Sequence, residues 1–534
     1  MSSTFERDTA LVDGEKSILE WLSYGIVALG IVTPLLTATT FLRETTEGTS
    51  LVGIGLLDVF ALLTALIGFG VLGIGVGSWS GRFETTPDER TGAVTGVGFG
   101  IVALVVTGLT VSQTFGFGAV VWVPVAVVVG ALVAVGVLAA REDLGTTVPV
   151  GLFALGLTGL VLGDVLTVSW SWEPTGLSAA FPGYLVVPAL AGVTGLLGAW
   201  AGSLASEGFG SRGRQRGAFA LIGLSAIAML AVLAMLLLFI GRQGFGYAFS
   251  EFSVGIGPAV IPMLNAEIPF VRIQMPFVTN GYTFRPDEIN GVFPAVVGTF
   301  WVVVGAVLVG VPLAVAAAVF LTEYAEQGWF TQVVEVATNG LWSTPSVVFG
   351  LFGYAFLVPR LGNDTSLLAG MLVLGFMLIP LVLITSREAV LAVPDEYRDA
   401  SAALGVSQWE TIKSVVLPAA MPGILTGVIL GVGRIAGETA PILLVMAGGL
   451  RDSAPKVLGA FEFSSVPPFV TNDALLASAP TLPYQLYASI TAGVSGENAE
   501  AFGWGTAFVL LLVVLSFYAV GIGTRIYFRR KLQQ

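Results

Sequence analysis

The sequence predicts an all-α, polytopic membrane helical bundle of about twelve transmembrane helices, and three observations carry that prediction. Hydrophobic residues make up 55% of the chain and charged residues 11%, with a mean hydropathy of +0.89, a balance unlike that of a soluble globule. Apolar runs of about 20 residues, long enough to cross a hydrocarbon core of ~30 Å as helices, recur along the chain. Lys and Arg gather in alternate connecting segments, as they do when cytoplasmic loops retain positive charge.

The apolar runs fall near residues 22–42, 54–78, 94–112, 119–140, 148–168, 182–203, 217–241, 294–321, 341–358, 367–386, 422–448 and 504–524. Only QTFGFG at 113–118 separates the third from the fourth. With both termini taken as cytoplasmic, the inner segments hold 15 of the 23 Lys and Arg, the outer segments hold 7, and Arg434 lies within a helix. SRGRQRG (211–217) and RIYFRRKLQQ (525–534) contribute most of that bias. The N-terminal MSSTFERDTALVDGEKS is mixed in charge, and the apolar run after it is long enough to stay as an anchor, so no cleavable signal is expected.

The net charge is −12, with four Lys against nineteen Arg, and acidic residues recur in RETTEG, ETTPDER and SGENAE. Such a surface suits high salt, where screening weakens repulsion between carboxylates. Zero Cys excludes disulfides and thiol chemistry, and zero His removes the commonest metal ligand and general base. Neither a metal site nor catalysis by this chain is expected.

The basic segment at 206–217 divides the chain. Residues 1–215 supply six spans with short connections and no evident polar motif. Asp58 and Asp164 lie toward the outer ends of their spans, where ending a helix accounts for them. Residues 216–534 supply six more spans with longer polar connections.

The segment 387–418 carries Arg387, Glu388, Asp395, Glu396, Arg398, Asp399, Glu410 and Lys413, a charge density that places it outside the bilayer. Pro394 and the acidic, Ala-rich EYRDASAAL predict a short helix, with Gly405 as its stop. SQWETIKSVV predicts another, with Ser407 and Glu410 spaced as a capping box. Pro418 to Pro422 is expected to end it and open the next span. A helix of small residues flanked by charges lets another protein's backbone approach closely, as a transmitted push requires.

Arg434 and Glu438 stand about midway along the apolar run at 422–448, with Thr439 beside them. An Arg at the centre of a spanning helix costs about 2.5–3.5 kcal/mol on the insertion scale, so Arg434 must face protein or water. Arg before Glu at i, i+4 is the less favourable order within a helix, which leaves each side chain free for a partner elsewhere. Two arrangements fit: an interhelical salt bridge that fixes packing, or an anion path in which the guanidinium fork meets oxyanion oxygens and the carboxylate keeps binding weak enough for release. Arg387 is open in the same way, as a positive-inside anchor or as part of that path.

The pattern Asp399-Ala400-Ser401, then Gly405, then Val415, Leu417 and Pro418 resembles the EAA loop of type I ABC importer permeases, with Asp and Ser in place of Glu and Ala. RIAGETAPILL (434–444), PSVVFGLFGY (345–354), FLTEYAEQG (320–328) and TLPYQLY (481–487) are similar to runs in the PstA family of phosphate-specific permeases. The resemblance covers roughly 217–534 and implies a MetI-like permease domain in the last six spans. It implies a plasma-membrane subunit of a phosphate importer in which Asp399, Ala400, Ser401, Gly405, Val415, Leu417 and Pro418 couple to a separate ATPase. Arg434, Glu438, Thr439 and Arg387 would lie on the substrate path.

The implied partners are a PstC-type permease, a PstB-type ATPase dimer that binds ATP and Mg, and a PstS-type binding protein received by the outer segments 242–293 and 449–503. No nucleic acid is implied. The chain has no G-x-x-x-x-G-K-[ST] phosphate cradle of its own. Other readings are a permease for sulfate or molybdate, a secondary transporter, and a phosphate-sensing membrane scaffold.

Overall fold

The computed structural model describes residues 17–42, 50–51, 53–174, 176, 178–261, 266–283, 290–326, 328–467, 469–493 and 499–532. The N-terminal 1–16, the acidic RETTEG and the first four residues of SGENAE lie outside the described residues. Among those described, 11 helices are long and apolar enough to cross a membrane, and a bent pair would bring the number to 12.

The chain forms two compact units, Met1–Leu238 and Phe239–Gln534. The first holds α1 (Ile18–Leu42), α2 (Leu56–Trp79), α3 (Ala93–Leu109), α4 (Ala119–Ala139), α5 (Glu142–Leu162), α6 (Gly183–Ala205) and the start of α7 (Gly210–Ala248), which carries the chain into the second. Lipid tails are as apolar as Leu, so helices in a membrane gain from close packing through small residues. Gly30 of α1 accordingly sits against the backbone of Gly195 and Ala199 on α6, and Gly198 receives Ile67 of α2. Buried Thr64 and Thr158 join α2 to α5 by a 2.9 Å hydroxyl hydrogen bond.

The second unit contains an antiparallel hairpin, Ser253–Ile261 paired with Ala266–Gln274, and then α8 (Pro276–Thr279), α9 (Phe293–Val319), α10 (Trp329–Ser343), α11 (Ser346–Phe352), α12 (Leu367–Leu391), α13 (Asp395–Ala403), α14 (Gln408–Thr411), α15 (Leu417–Ala436), α16 (Ala440–Val445), α17 (Asp473–Leu476), α18 (Leu482–Ala488) and α19 (Ala499–Leu532). α12 is the central helix. Gly305 and Gly310 of α9 approach Met371 and Gly375 on one side of it, and Gly423, Gly427 and Gly431 of α15 meet Ala389, Thr385 and Leu378 on another. The four-residue spacing of those last glycines keeps them on one face. Val302, Leu374, Leu378, Ile435, Ile442 and Val445 form the core between these helices.

Four expectations change. The run at 341–358 is not a straight span: Trp329–Ser343 and Ser346–Arg360 meet at 102°, because Pro345 lacks an N–H and forces Thr344 into extended backbone (φ −69°, ψ 131°). The run at 422–448 is not one helix, since α15 ends at Ala436 and α16 starts at Ala440. Pro418 and Pro422 do not break the chain. A π turn at Ile412–Val416 leads straight into α15, giving one 29-residue helical run from Gln408 to Ala436, and the extra residue of such a turn reorders the backbone bonds that a following proline would disrupt. The fifth span begins at Glu142, six residues earlier than expected, because the carboxylates of its first turn are paired.

Candidate functional site

The charged segment after α12 folds as its sequence suggests. Asp395 and Glu396 occupy the first turn of α13, favourably placed for the helix dipole. Gly405 ends the helix with φ +73°. Its N–H donates to Ala402 O (2.9 Å) and the Val406 N–H to Ser401 O (3.1 Å), the paired bonds of a Schellman cap, in which glycine adopts the left-handed conformation without strain. Ser407 caps α14 by accepting the Glu410 N–H at 3.4 Å. The reciprocal half of the expected capping box is replaced, since the Glu410 carboxylate accepts from Ser414 Oγ at 3.0 Å. Asp399, Ala400 and Gly405 are exposed, Ser401 is buried, and Val415, Leu417 and Pro418 are half-buried at the entry to α15. Tyr397, Leu404 and Trp409 present large apolar side chains beside them, Leu404 with 83% of its surface exposed.

One side chain fixes this segment to the bundle. Arg398 donates from Nη2 to Glu323 Oε1 (2.7 Å) and from Nε to the same carboxylate (3.2 Å), and it also reaches the carbonyls of Val393 (2.8 Å) and Val390 (3.1 Å). Glu323 lies in the π turn Phe320–Tyr324 that closes α9, and its carbonyl accepts from Gln408 Nε2 at 2.6 Å. The bond to Glu323 raises the pKa of Arg398 further, outweighing the opposing effect of burial.

The intramembrane charges lie at a break in a helix and not at the middle of one. Arg434 occupies the last turn of α15, Gly437 caps it, Glu438 lies in the unwound stretch, and Thr439 precedes α16. Irregular backbone at membrane depth persists only where protein or a water-filled cavity surrounds it. Arg434 and Glu438 do face each other, because the unwinding turns the glutamate back, but Nε and Oε1 are 3.7 Å apart, beyond hydrogen-bonding distance. The guanidinium carbon also lies 4.5 Å from the centre of the Trp342 ring on α10, a cation–π contact. Arg387 is separate from this pair. It faces Glu335 of α10 at 3.6 Å and lines a polar cavity of about 80 Å³.

In the first unit, Asp164 stands just past α5 with φ +54°, a conformation Asp tolerates, and it shares a cavity of about 170 Å³ with Asp58 and Tyr184. A tighter charged cluster lies elsewhere. Asp143 is fully buried and accepts from Arg141 and from Ser78 Oγ (2.7 Å). Glu142 accepts the backbone N–H groups of Asp88 and Gly210, each at 2.9 Å, and an Arg214 bond at 3.0 Å. Among the described residues, no group of three or more acidic side chains could hold a metal ion.

Residues 310–534 match the family of binding-protein-dependent transport system inner membrane components. The phosphate transport system permease protein PstA of Haemophilus influenzae is 34% identical over 249 residues, covering 47% of this chain and 79% of that protein. The chain belongs to the PstA family of transport permeases. PstA 1 of Mycobacterium tuberculosis is 34% identical over 234 residues, covering 43% of this chain and 69% of that protein. The probable ABC transporter permease YqgI of Bacillus subtilis is 33% identical over 242 residues, covering 45% and 79%.

The PstA-like runs each have a place in the fold. FLTEYAEQG supplies Glu323, the acceptor for Arg398. PSVVFGLFGY forms α11 and the turn after it, where Gly350 and Gly353 meet Pro441 and Val445 around α16. RIAGETAPILL is the broken helix itself. TLPYQLY is α18, docked on α9 by the bond from the Leu482 N–H to Thr299 Oγ1 at 2.9 Å. Sequence reasoning missed Glu323, Trp342, Glu335 and the Arg141–Asp143 pair. The readable signals were Pro345, the charges R-E-D directly before an apolar run, and the polar periodicity of 329–343.

Proposed function

We propose that this permease is the subunit of an ATP-driven importer that carries inorganic phosphate across the plasma membrane and forms half of the path. The observation that carries the reading is the join between two features. The exposed segment around Asp399 to Pro418 connects α12 and α15, and these helices, clamped by Gly423, Gly427 and Gly431, bear Arg387 and Arg434. A push on the segment therefore reaches both arginines. The names of the PstA relatives support phosphate as the cargo, and a guanidinium held by a ring and a loosely spaced carboxylate can exchange that carboxylate for an oxyanion. Thr439 sits at the same break as a further hydroxyl on the path.

Bringing an anion into a negative interior costs ~2.3 kcal/mol per charge per 100 mV. In this reading a PstB-type ATPase dimer with ATP and Mg supplies that work through the exposed segment, a PstC-type permease completes the path, and a PstS-type binding protein delivers phosphate to the outer segments. The Lys and Arg bias supports a cytoplasmic position for both termini in this reading. The acidic composition fits a salt-rich setting.

The test is uptake of labelled phosphate by the reconstituted importer, with sulfate and molybdate as competitors. ATP-dependent uptake resisting both competitors is expected; uptake displaced by either anion, or driven by an ion gradient without ATP, would overturn the reading. Gly405→Asp should abolish uptake while leaving the protein in the membrane, since a Cβ there meets nothing within 4 Å and Asp is among the residues that tolerate left-handed backbone, at a local cost of about 1–2 kcal/mol; normal uptake would remove the coupling role.

A further inference from the structure

α10 carries its polar residues on one side and its large exposed apolar side chains on the other, and the two side chains it buries are polar. Its buried residues are Thr331 and Thr338, while Trp329, Phe330, Val333 and Val336 are exposed. A helix that packs for apolar burial shows the reverse pattern. Thr331, Glu335, Thr338, Asn339 and Trp342 recur at three- and four-residue intervals, which stacks them on one face. Two arginines from different helices meet that face, Arg387 at Glu335 and Arg434 at Trp342. Glu335 and Trp342 are seven residues apart, about 10 Å along an α-helix. The stripe therefore spans the interval between the two cations.

At the Glu335 end of the stripe the cavity of about 80 Å³ is lined by Arg387, Glu335, Thr338, Asn339 and Glu388, room enough for several waters. The Thr338 hydroxyl donates to Val334 O at 2.7 Å, leaving only its lone pairs for the cavity. Among the described residues the Asn339 carboxamide has no hydrogen-bond partner, so its two N–H groups are available. The Arg387–Glu335 contact of 3.6 Å is too long for a hydrogen bond.

We propose that Arg387 and Asn339 form a second station for a tetrahedral oxyanion, inward of the one at Arg434, and that Glu335 is the exchange partner that retakes Arg387 when the anion leaves. The proposal rests on the phosphate reading above. The guanidinium fork and the carboxamide N–H groups donate to the anion, and the neighbouring carboxylates keep its residence short. Trp342 and Thr338 form the wall between the stations.

The experiment uses the full importer in proteoliposomes with its binding protein outside and ATP inside, and measures labelled phosphate uptake and its inhibition by phosphate added to the ATP side. Arg387→Gln and Asn339→Leu should each lower uptake roughly tenfold, the loss of one charge-assisted hydrogen bond, and should weaken the inhibition by internal phosphate. Asn339→Asp, nearly isosteric with the native side chain, should do the same and controls for folding. Glu335→Gln should shift the inhibition the other way, to roughly tenfold lower internal phosphate, an effect that a packing role would not produce. Uptake within twofold of wild type in both Asn339 variants, or unchanged product inhibition in Glu335→Gln, would overturn the second station. Absence of phosphate uptake by the wild-type importer would instead overturn the functional reading beneath it.

Discussion

The two units treat charge in opposite ways. In the first, Asp143 is completely buried yet held by Arg141, Ser78 and the Leu144 N–H, and Glu142 accepts from two backbone N–H groups and Arg214. In the second, the pairs at Arg434 and Arg387 stand 3.7 and 3.6 Å apart, and their members keep access to solvent-sized space. A buried ion pair is tolerable only when every lone pair is satisfied. An anion path has the opposite requirement, because a fully satisfied arginine has no donor left to offer. The geometry of pairing thus separates charges that tie helix ends together from charges that can meet a substrate. Tightness also varies within the second unit, where Arg398 and Glu323 are bonded as closely as the structural pairs of the first.

This contrast can be broken at several points. The largest effect is expected from Arg141→Ala, which leaves the buried Asp143 carboxylate without its cation and should cost about 3 kcal/mol, read as a lower melting temperature and poor recovery from membranes. The double replacement Arg141→Met with Asp143→Leu should restore much of that loss, and an unchanged melting temperature in the single variant would remove the structural role. Glu323→Gln should come next. It weakens the hold of α9 on Arg398 by about 1–2 kcal/mol and should lower phosphate carried per ATP hydrolysed while the protein remains folded. A wild-type ratio would show that the brace has no part in coupling. The smallest effect belongs to Glu207→Gln, whose partner Arg216 is largely exposed; stability should change by less than about 0.5 kcal/mol, and a larger shift would mean that exposed pairs in the first unit also carry structural weight.

Much of this architecture was legible because apolar length and cap chemistry are local properties. The charged segment announced itself through Asp395, Glu396 and Gly405, and α13 begins and ends where those residues require. The breaks were harder to read for a physical reason. Gly437 alone costs a helix only about 1 kcal/mol, so an apolar run averaged over twenty residues conceals it, and it takes Pro441 and the packing of α16 to turn that weakness into a break. Pro418 misled in the other direction, since its effect on the helix is absorbed by the π turn just before it. α10 escaped notice because mean hydropathy treats a polar stripe as dilution, whereas its periodicity places every polar residue on one side. The buried pairing of Glu142 and Asp143 depends on Ser78, Asp88 and Gly210, which are distant in sequence and meet them only in the fold.

The central claim is that the loosely paired charge at the break between α15 and α16 meets the anion. Its most direct test is labelled phosphate uptake and ATP hydrolysis measured in the same proteoliposomes for Arg434→Ala and Arg434→Lys. The expected result is an Arg434→Ala importer that assembles and hydrolyses ATP in response to its loaded binding protein, with uptake at least roughly tenfold below wild type, and an Arg434→Lys importer that recovers only part of the rate because an ammonium lacks the forked donors. Wild-type uptake by Arg434→Ala would contradict the claim. So would failure of Arg434→Ala to assemble together with wild-type transport by Arg434→Lys, which would make the arginine a packing residue.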